Sequence, residues 1–156
     1  MFVKMPIIIR LPIIVLLIAI NIVLLVSILL GFSILKWCIP ITAVKQCCEH
    51  IILYLAEAWI SNNSWMMRHC TSVQINYTED TNLDPQGHYL VLSNHQSWVD
   101  ILVLQAVFNR RIPFMRFFLK QQLIWVPLLG LAWWALDFPF MKRHSKSQIQ
   151  KNPALA

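Results

Sequence analysis

The stretch HYLVLSNHQSWVDILVLQAVF, residues 88–108, passes from a short apolar run through a polar loop into a longer apolar run. Residues 88–93 are mostly apolar and bounded by polar residues, a pattern typical of a buried strand. Residues 101–108 form an apolar stretch that predicts a helix. Because open α/β sheets bind ligands where a strand passes into a helix, the loop at 94–100 is the candidate site. The junction predicts an α/β fold class.

Two residues of that loop, His95 and Asp100, form the candidate catalytic pair. In a continuous helix, residues five apart point about 140° away from each other, so the two side chains would not meet. They can meet if Ser97 caps the helix, His95 lies in the loop, and Asp100 takes the third helical position near the positive end of the helix dipole. A carboxylate bound to one ring nitrogen would leave the other free to accept a hydroxyl proton. The alternative is a capping box, Ser97-x-x-Asp100, in which His95 has no role.

An uncharged, mostly apolar run of 25 residues, 11–35, precedes this region. As a helix it would be about 38 Å long, enough to cross a bilayer core of roughly 30 Å with some tilt. The alternative is a cleaved signal peptide with Lys4 and Arg10 before it, but cleavable apolar cores span about 7–15 residues and end in small residues. Since Lys36 follows here, the sequence favours a retained anchor. Three polar residues inside the run are expected to hydrogen-bond to the helix backbone: Asn21, Ser27 and Ser33.

Between the anchor and the candidate site the hydrophobic period changes from helical to alternating. Residues 41–70 keep an apolar face at helical spacing and predict an amphipathic helix that lies on the membrane or packs against the anchor. The polar segment 61–64, Ser-Asn-Asn-Ser, would split it in the alternative of two shorter helices. Residues 72–77 alternate as a half-buried strand does, and residues 112–115 predict a further strand.

The composition is unusual for a soluble domain, with 58% apolar residues, 13% charged residues and a formal net charge of +6. A basic balance is compatible with nucleic acid or anionic lipid as a partner. After Asp100 the basic residues are interrupted by apolar stretches and no nucleic-acid-binding motif accompanies them, so we expect no nucleic acid partner. We expect this basic part to face the cytoplasm. No cysteine pair has C-x-x-C spacing, and neighbours at 47–50 point about 100° apart on a helix, so no metal site is predicted.

Three segments in order along the chain carry a resemblance to a known family. Residues 91–101 contain the pattern N-H-x4-D after a strand, and residues 120–130 fit the pattern K-x-x-L-x-x-x-P-x-x-G. Residues 138–143 form an apolar run that ends in arginine. Together they resemble the glycerophospholipid acyltransferases, the 1-acylglycerol-3-phosphate acyltransferase family. The resemblance implies an α/β protein with an N-terminal transmembrane helix, followed by a membrane-associated acyltransferase domain with a partial, mostly parallel sheet and flanking helices.

The resemblance also implies transfer of a fatty acyl group from acyl-CoA or acyl-carrier protein to the hydroxyl of a lysophospholipid such as lysophosphatidate, in phospholipid biosynthesis or remodelling. His95 would act as general base and Asp100 would orient it, so no covalent nucleophile is required and no cofactor is expected beyond the acyl donor. Lys120 and Arg143 would hold the acceptor's phosphate, Arg143 through bidentate pairing. Without the family spacing, solvated or headgroup-facing charges are the alternative for these two residues.

The sequence also departs from the family pattern, because the third and fourth family blocks do not follow residue 143. We therefore expect a C-terminally truncated member with an anchor at 1–40, an amphipathic helical segment at 41–70 and the N-terminal half of an acyltransferase domain at 71–156. Residues 123–141 would form a surface that reaches into one leaflet, with a second membrane span as the alternative. The expected location is the bacterial inner membrane. The alternative function is an inactive membrane protein that acts only as a binding or interaction module.

Overall fold

The computed structural model describes residues 5–78, 82–94 and 96–142. The elements in chain order are helix α1 (Ile7–Cys38), helix α2 (Thr42–Cys70), helix α3 (Val99–Phe108), strand β1 (Leu119–Lys120), a 3₁₀ helix (Gln121–Trp125), helix α4 (Leu129–Ala135) and strand β2 (Phe140–Met141). The chain divides into two compact units, Met1–Met115 and Arg116–Ala156. Helices α1 to α3 therefore belong to the first unit, and the remaining elements belong to the second.

Helices α1 and α2 pack side by side as an antiparallel hairpin joined by residues 39–41. Helix α1 stops before Pro40, because a proline lacks the N–H that the next helical turn needs and restricts the residue before it. Lys36 in the last turn of α1 forms an ion pair with Glu49 of α2, with Nζ and Oε1 2.9 Å apart. The hydrogen bond and the positive charge from Lys36 lower the pKa of the Glu49 carboxyl.

Helix α2 runs without a break through the Ser-Asn-Asn-Ser segment at 61–64. Ser61 Oγ donates to the Glu57 carbonyl and Ser64 Oγ donates to the Ile60 carbonyl, each at 2.8 Å. Because these hydroxyls bond within the helix, they do not end it, and the alternative of two shorter helices is wrong. The apolar face that the sequence predicts is present, with buried side chains at Cys48, Ile52, Ala56, Ile60, Met66 and Cys70.

Helix α1 is the one described helix long and apolar enough to cross a membrane, although buried core helices and signal sequences can have the same length and composition. It has 32 residues, which corresponds to about 48 Å. Most of its surface away from α2 is apolar and exposed, including Ile8, Leu11, Val15, Leu16, Val23, Leu24 and Ile34. An apolar surface of this extent calls for lipid or another apolar partner.

The polar residues inside α1 behave in two different ways. Ser33 Oγ donates to the Leu29 carbonyl at 2.9 Å, which confirms the expected bond to the helix backbone. Asn21 instead bonds to side chains of α2, Asn62 and Asn63, at 2.9 and 3.0 Å. The expectation of a backbone bond was therefore wrong for Asn21, because a neighbouring helix supplies amide partners that a single helix cannot.

The short helix α3 packs against α2, and the predicted helix at 101–108 is confirmed with its start at Val99. Residues 72–77 and 88–93 belong to no β-ladder among the described residues. Leu90 and Leu92 are 79% and 84% exposed, so the prediction of a buried strand is wrong for the structure as described. A strand is buried only when neighbouring strands and a packed layer cover it, and the described residues place none beside it.

The second unit contains a two-stranded parallel sheet in which Leu119 pairs with Phe140 and Lys120 pairs with Met141. The 3₁₀ helix and α4 make the crossover between the two strands, as parallel pairing requires. Arg116 Nε donates to the Leu136 carbonyl at 2.7 Å and braces the start of the unit against the end of α4. The parallel sheet was predicted, but β1 begins at Leu119 and not at the predicted residues 112–115.

Residues 123–141 do not form a continuous helix. The 3₁₀ helix ends at Trp125, Pro127 follows, and Leu128 has a φ of 62°, in the left-handed region that turns the chain. Gly130 is buried against the backbone of Ile124, where a β-carbon would collide with the carbonyl group. This tight packing folds the apolar segment on itself, so the described residues offer no second helix of membrane-spanning length.

Candidate active site

Asp100 lies in the first turn of α3, where its carboxylate binds the preceding loop. Its Oδ2 accepts hydrogen bonds from the backbone N–H of Gln96 at 2.7 Å and of Ser97 at 2.8 Å. Hydrogen bonds from N–H groups and the positive end of the helix dipole both favour the charged carboxylate. The arrangement therefore fixes the loop backbone immediately after position 95 and presents a negative charge at the start of the helix.

The start of α3 differs in detail from the predicted capping geometry. Trp98 occupies the N-cap position, so Asp100 is the second helical residue and not the third. Ser97 Oγ accepts a hydrogen bond from the N–H of Val99 at 3.3 Å, while the N–H of Asp100 donates to the Ser97 carbonyl at 3.1 Å. Of the two hydrogen bonds of a capping box, the one from the Ser97 N–H to the Asp100 carboxylate is formed. The other is shifted by one residue, because the Ser97 hydroxyl accepts from Val99 and not from Asp100.

Two of the four predicted site residues, His95 and Arg143, lie outside the described residues. Their roles stay predictions, as does the contact between His95 and Asp100. The neighbours Gln96 and Ser97 both donate backbone N–H groups to Asp100, so this part of the predicted loop is arranged around the carboxylate.

Lys120, the predicted phosphate-binding lysine, is exposed at the end of β1 in the second unit. It pairs across the parallel ladder with Met141. Because successive side chains alternate along an extended chain, we place Lys120 on the same side as exposed Phe118, which precedes β1, with buried Leu119 on the other side. A flexible ammonium beside exposed apolar side chains suits contact with the phosphate of an amphiphile.

Helices α2 and α3 enclose two small clefts that share Ile60 and Gln105. Each provides only about 10 Å³, roughly the space of one water molecule. A fatty acyl chain does not fit in that volume. Water can occupy these clefts, but neither holds a fatty acyl chain in the described conformation.

Among the described residues, the cysteines and acidic residues do not cluster as a metal centre would require. Within residues 5–78, 82–94 and 96–142, no three His, Cys, Asp or Glu side chains lie where they could hold one ion. Cys38 and Cys47 are exposed, Cys48 and Cys70 are buried, and all four are free thiols.

A family model described as Acyltransferase matches residues 74–154, more than half of the 156-residue chain. The chain belongs to the acyltransferase family. Searches of the curated proteins and of the solved structures gave no significant match. The matched range contains His95, Asp100, Lys120 and Arg143, and it supports a general acyltransferase function with an acyl donor and an acceptor. The α1–α2 hairpin lies before the matched range.

Sequence reasoning did not single out several polar contacts of this acyltransferase-family chain. Asn109, at the end of α3, donates from Nδ2 to Ser61 Oγ at 2.9 Å, and Arg110 forms an ion pair with Glu57 at 3.3 Å. Among the residues that join helices through polar side chains, only Asn21 stands out in the sequence, because it interrupts an apolar run. The other residues lie on polar faces, where the sequence does not distinguish a solvated side chain from one that bonds to a distant helix.

Proposed function

We propose that this chain is a membrane-anchored acyltransferase that moves a fatty acyl group from a thioester donor to the hydroxyl of a lysophospholipid such as lysophosphatidate. The donor is acyl-CoA or acyl-carrier protein. The family match supports acyl transfer in general, and the ordered segments at 91–101, 120–130 and 138–143 support this particular acceptor class. The observation that carries the proposal is the fixed carboxylate of Asp100, the aspartate of the N-H-x4-D pattern.

The chemistry assigns one role to each residue of the proposed pair. His95 takes the proton from the acceptor hydroxyl while the hydroxyl oxygen attacks the thioester carbonyl carbon. The carbon–sulfur bond then breaks, and the departing thiolate recovers a proton from the imidazolium. Asp100 orients the imidazole and stabilises its positive charge. The Asp100 carboxylate suits this role because two backbone N–H groups and the helix N-terminus hold it in place.

The remaining roles concern the acceptor and the membrane. Lys120 and Arg143 bind the acceptor's phosphate, and the exposure of Lys120 supports this assignment. Helix α1 anchors the chain in the bacterial inner membrane, with the basic part of the sequence on the cytoplasmic side. The exposed apolar surface of α1 supports anchoring. The basic residues after Asp100 support the cytoplasmic orientation.

The proposal is tested with the purified chain in lipid vesicles, lysophosphatidate and labelled acyl-CoA. We expect turnover by the wild-type chain, its loss in His95→Ala, and normal turnover in the matched control His88→Ala, since His88 is exposed and precedes the candidate site. A parallel assay with acyl-carrier protein identifies the donor. If no donor gives turnover with the wild-type chain, the proposed function fails and the alternative of a binding or interaction module stands.

A further inference from the structure

A group of side-chain amides joins α1 to α2 midway along the hairpin. Asn21 Nδ2 donates to Asn63 Oδ1 at 3.0 Å, and Asn62 Nδ2 donates to Asn21 Oδ1 at 2.9 Å. Asn21 is buried, and both ends of its amide are used in these bonds. Burying an amide in an apolar helix is costly without such partners, so a shift of α1 along α2 would leave Asn21 unsatisfied. The contact therefore favours one register of the two helices, as a single buried asparagine does between coiled-coil helices.

The adjacent residue of α2 continues the connection to α3. Ser61 Oγ accepts a hydrogen bond from Asn109 Nδ2 at 2.9 Å, and the same nitrogen lies 3.4 Å from the Glu57 carbonyl oxygen. Asn109 follows directly after α3 and Arg110, next in the chain, forms an ion pair with Glu57. The C-terminal end of α3 is thus attached to the same turn of α2 that binds Asn21.

The other end of α3 carries Asp100. The helix has 10 residues and is about 15 Å long. A helix this short moves as one body, so displacement of its C-terminal end along α2 also displaces the carboxylate and the loop that it binds. Reacting groups must be placed to within about an ångström, which makes such a displacement costly for catalysis.

We propose that a group of polar side chains, here called the amide cluster, positions Asp100 for acyl transfer by fixing α1, α2 and α3 in one register. The cluster consists of the side-chain amides of Asn21, Asn62, Asn63 and Asn109 and the hydroxyl of Ser61. This inference rests on the proposed function and assigns these five residues as positioning residues. It gives the hairpin, which lies before the range matched by the family model, a part in the reaction in addition to anchoring.

The membrane setting separates this role from simple anchoring. Replacement of Asn21 by leucine removes a polar group from an apolar helix and makes α1 a better membrane segment. If α1 serves only as an anchor, Asn21→Leu should retain activity. If the amide cluster positions Asp100, the same substitution should lower activity. Ser27→Leu is the matched control, because Ser27 is an exposed polar residue of the same helix.

The kinetic arm uses Asn21→Leu, Asn109→Ala and the double variant in vesicles with lysophosphatidate and acyl-CoA. We expect kcat to fall roughly 10-fold to 100-fold in each single variant with KM for both substrates unchanged, because the binding groups remain and the carboxylate is displaced. The double variant should be no worse than the worse single variant, since each breaks the same connection. Full kcat in Asn21→Leu, or losses that multiply in the double variant, would overturn the proposal.

The second arm does not depend on activity. We expect faster amide hydrogen exchange over α3 and at residues 96–97 in Asn21→Leu and in Asn109→Ala than in Ser27→Leu, measured by mass spectrometry in the same vesicles. Equal exchange in Asn21→Leu and Ser27→Leu would refute the connection even where the wild-type chain is active. If exchange responds but the wild-type chain shows no turnover, the connection stands and the proposed function fails.

Discussion

At the scale of single residues, the Asp100 carboxylate has two possible roles, orienting a histidine and capping a helix, and substitution by asparagine separates them. The amide keeps the shape and one oxygen acceptor for the N–H groups of Gln96 and Ser97, but it loses the charge. If Asp100 supports a histidine that becomes protonated, Asp100→Asn should lower kcat by roughly 10³-fold or more. If Asp100 only caps the helix, Asp100→Asn should lower the free energy of unfolding by at most about 1 kcal/mol and leave the turnover of the folded protein unchanged.

The control for this substitution is Asp137→Asn, because Asp137 is exposed and its φ of 58° is readily adopted by asparagine. We expect this variant to match the wild-type chain in turnover and in its circular dichroism spectrum. Equal turnover in the two variants would assign Asp100 to helix capping alone.

At the scale of elements, the packing of α4 against the 3₁₀ helix depends on the missing side chain of Gly130. A β-carbon there would collide with the Ile124 carbonyl, so Gly130→Ala forces the two elements apart at a cost of roughly 1–3 kcal/mol. The matched control is Gly31→Ala, because a β-carbon at Gly31 meets nothing within 4 Å and alanine is the better helix former. Thermal unfolding followed by circular dichroism should show a lower midpoint for Gly130→Ala only. Equal midpoints for the two variants would contradict this account of the turn.

The elements that the sequence predicts well are those whose signal is local. The apolar run at 11–35, the apolar face of α2 and the helix after the candidate loop are all present, because helical periodicity is encoded within each segment. The strands at 72–77 and 88–93 are not formed among the described residues, because a strand depends on pairing partners that are often distant in sequence. For the same reason the position of Asp100 in a helical turn was predictable, while the bonds of Asn21 and Asn109 to α2 were not.

At the scale of the whole molecule, the proposed anchor requires that the exposed face of α1 contacts the apolar core of the membrane. Leu24 is 57% exposed near the middle of the helix, and Trp37 is 85% exposed near its end. A lysine at the centre of a membrane span costs about 2.5–3.5 kcal/mol on insertion scales, whereas one near the end can extend its ammonium to the headgroups. We therefore expect Leu24→Lys to shift part of the chain out of the membrane fraction after alkaline carbonate extraction, and Trp37→Lys to remain with the wild type. Release of the wild-type chain by high salt alone would mean that basic residues bind it to the membrane surface and that α1 is not inserted.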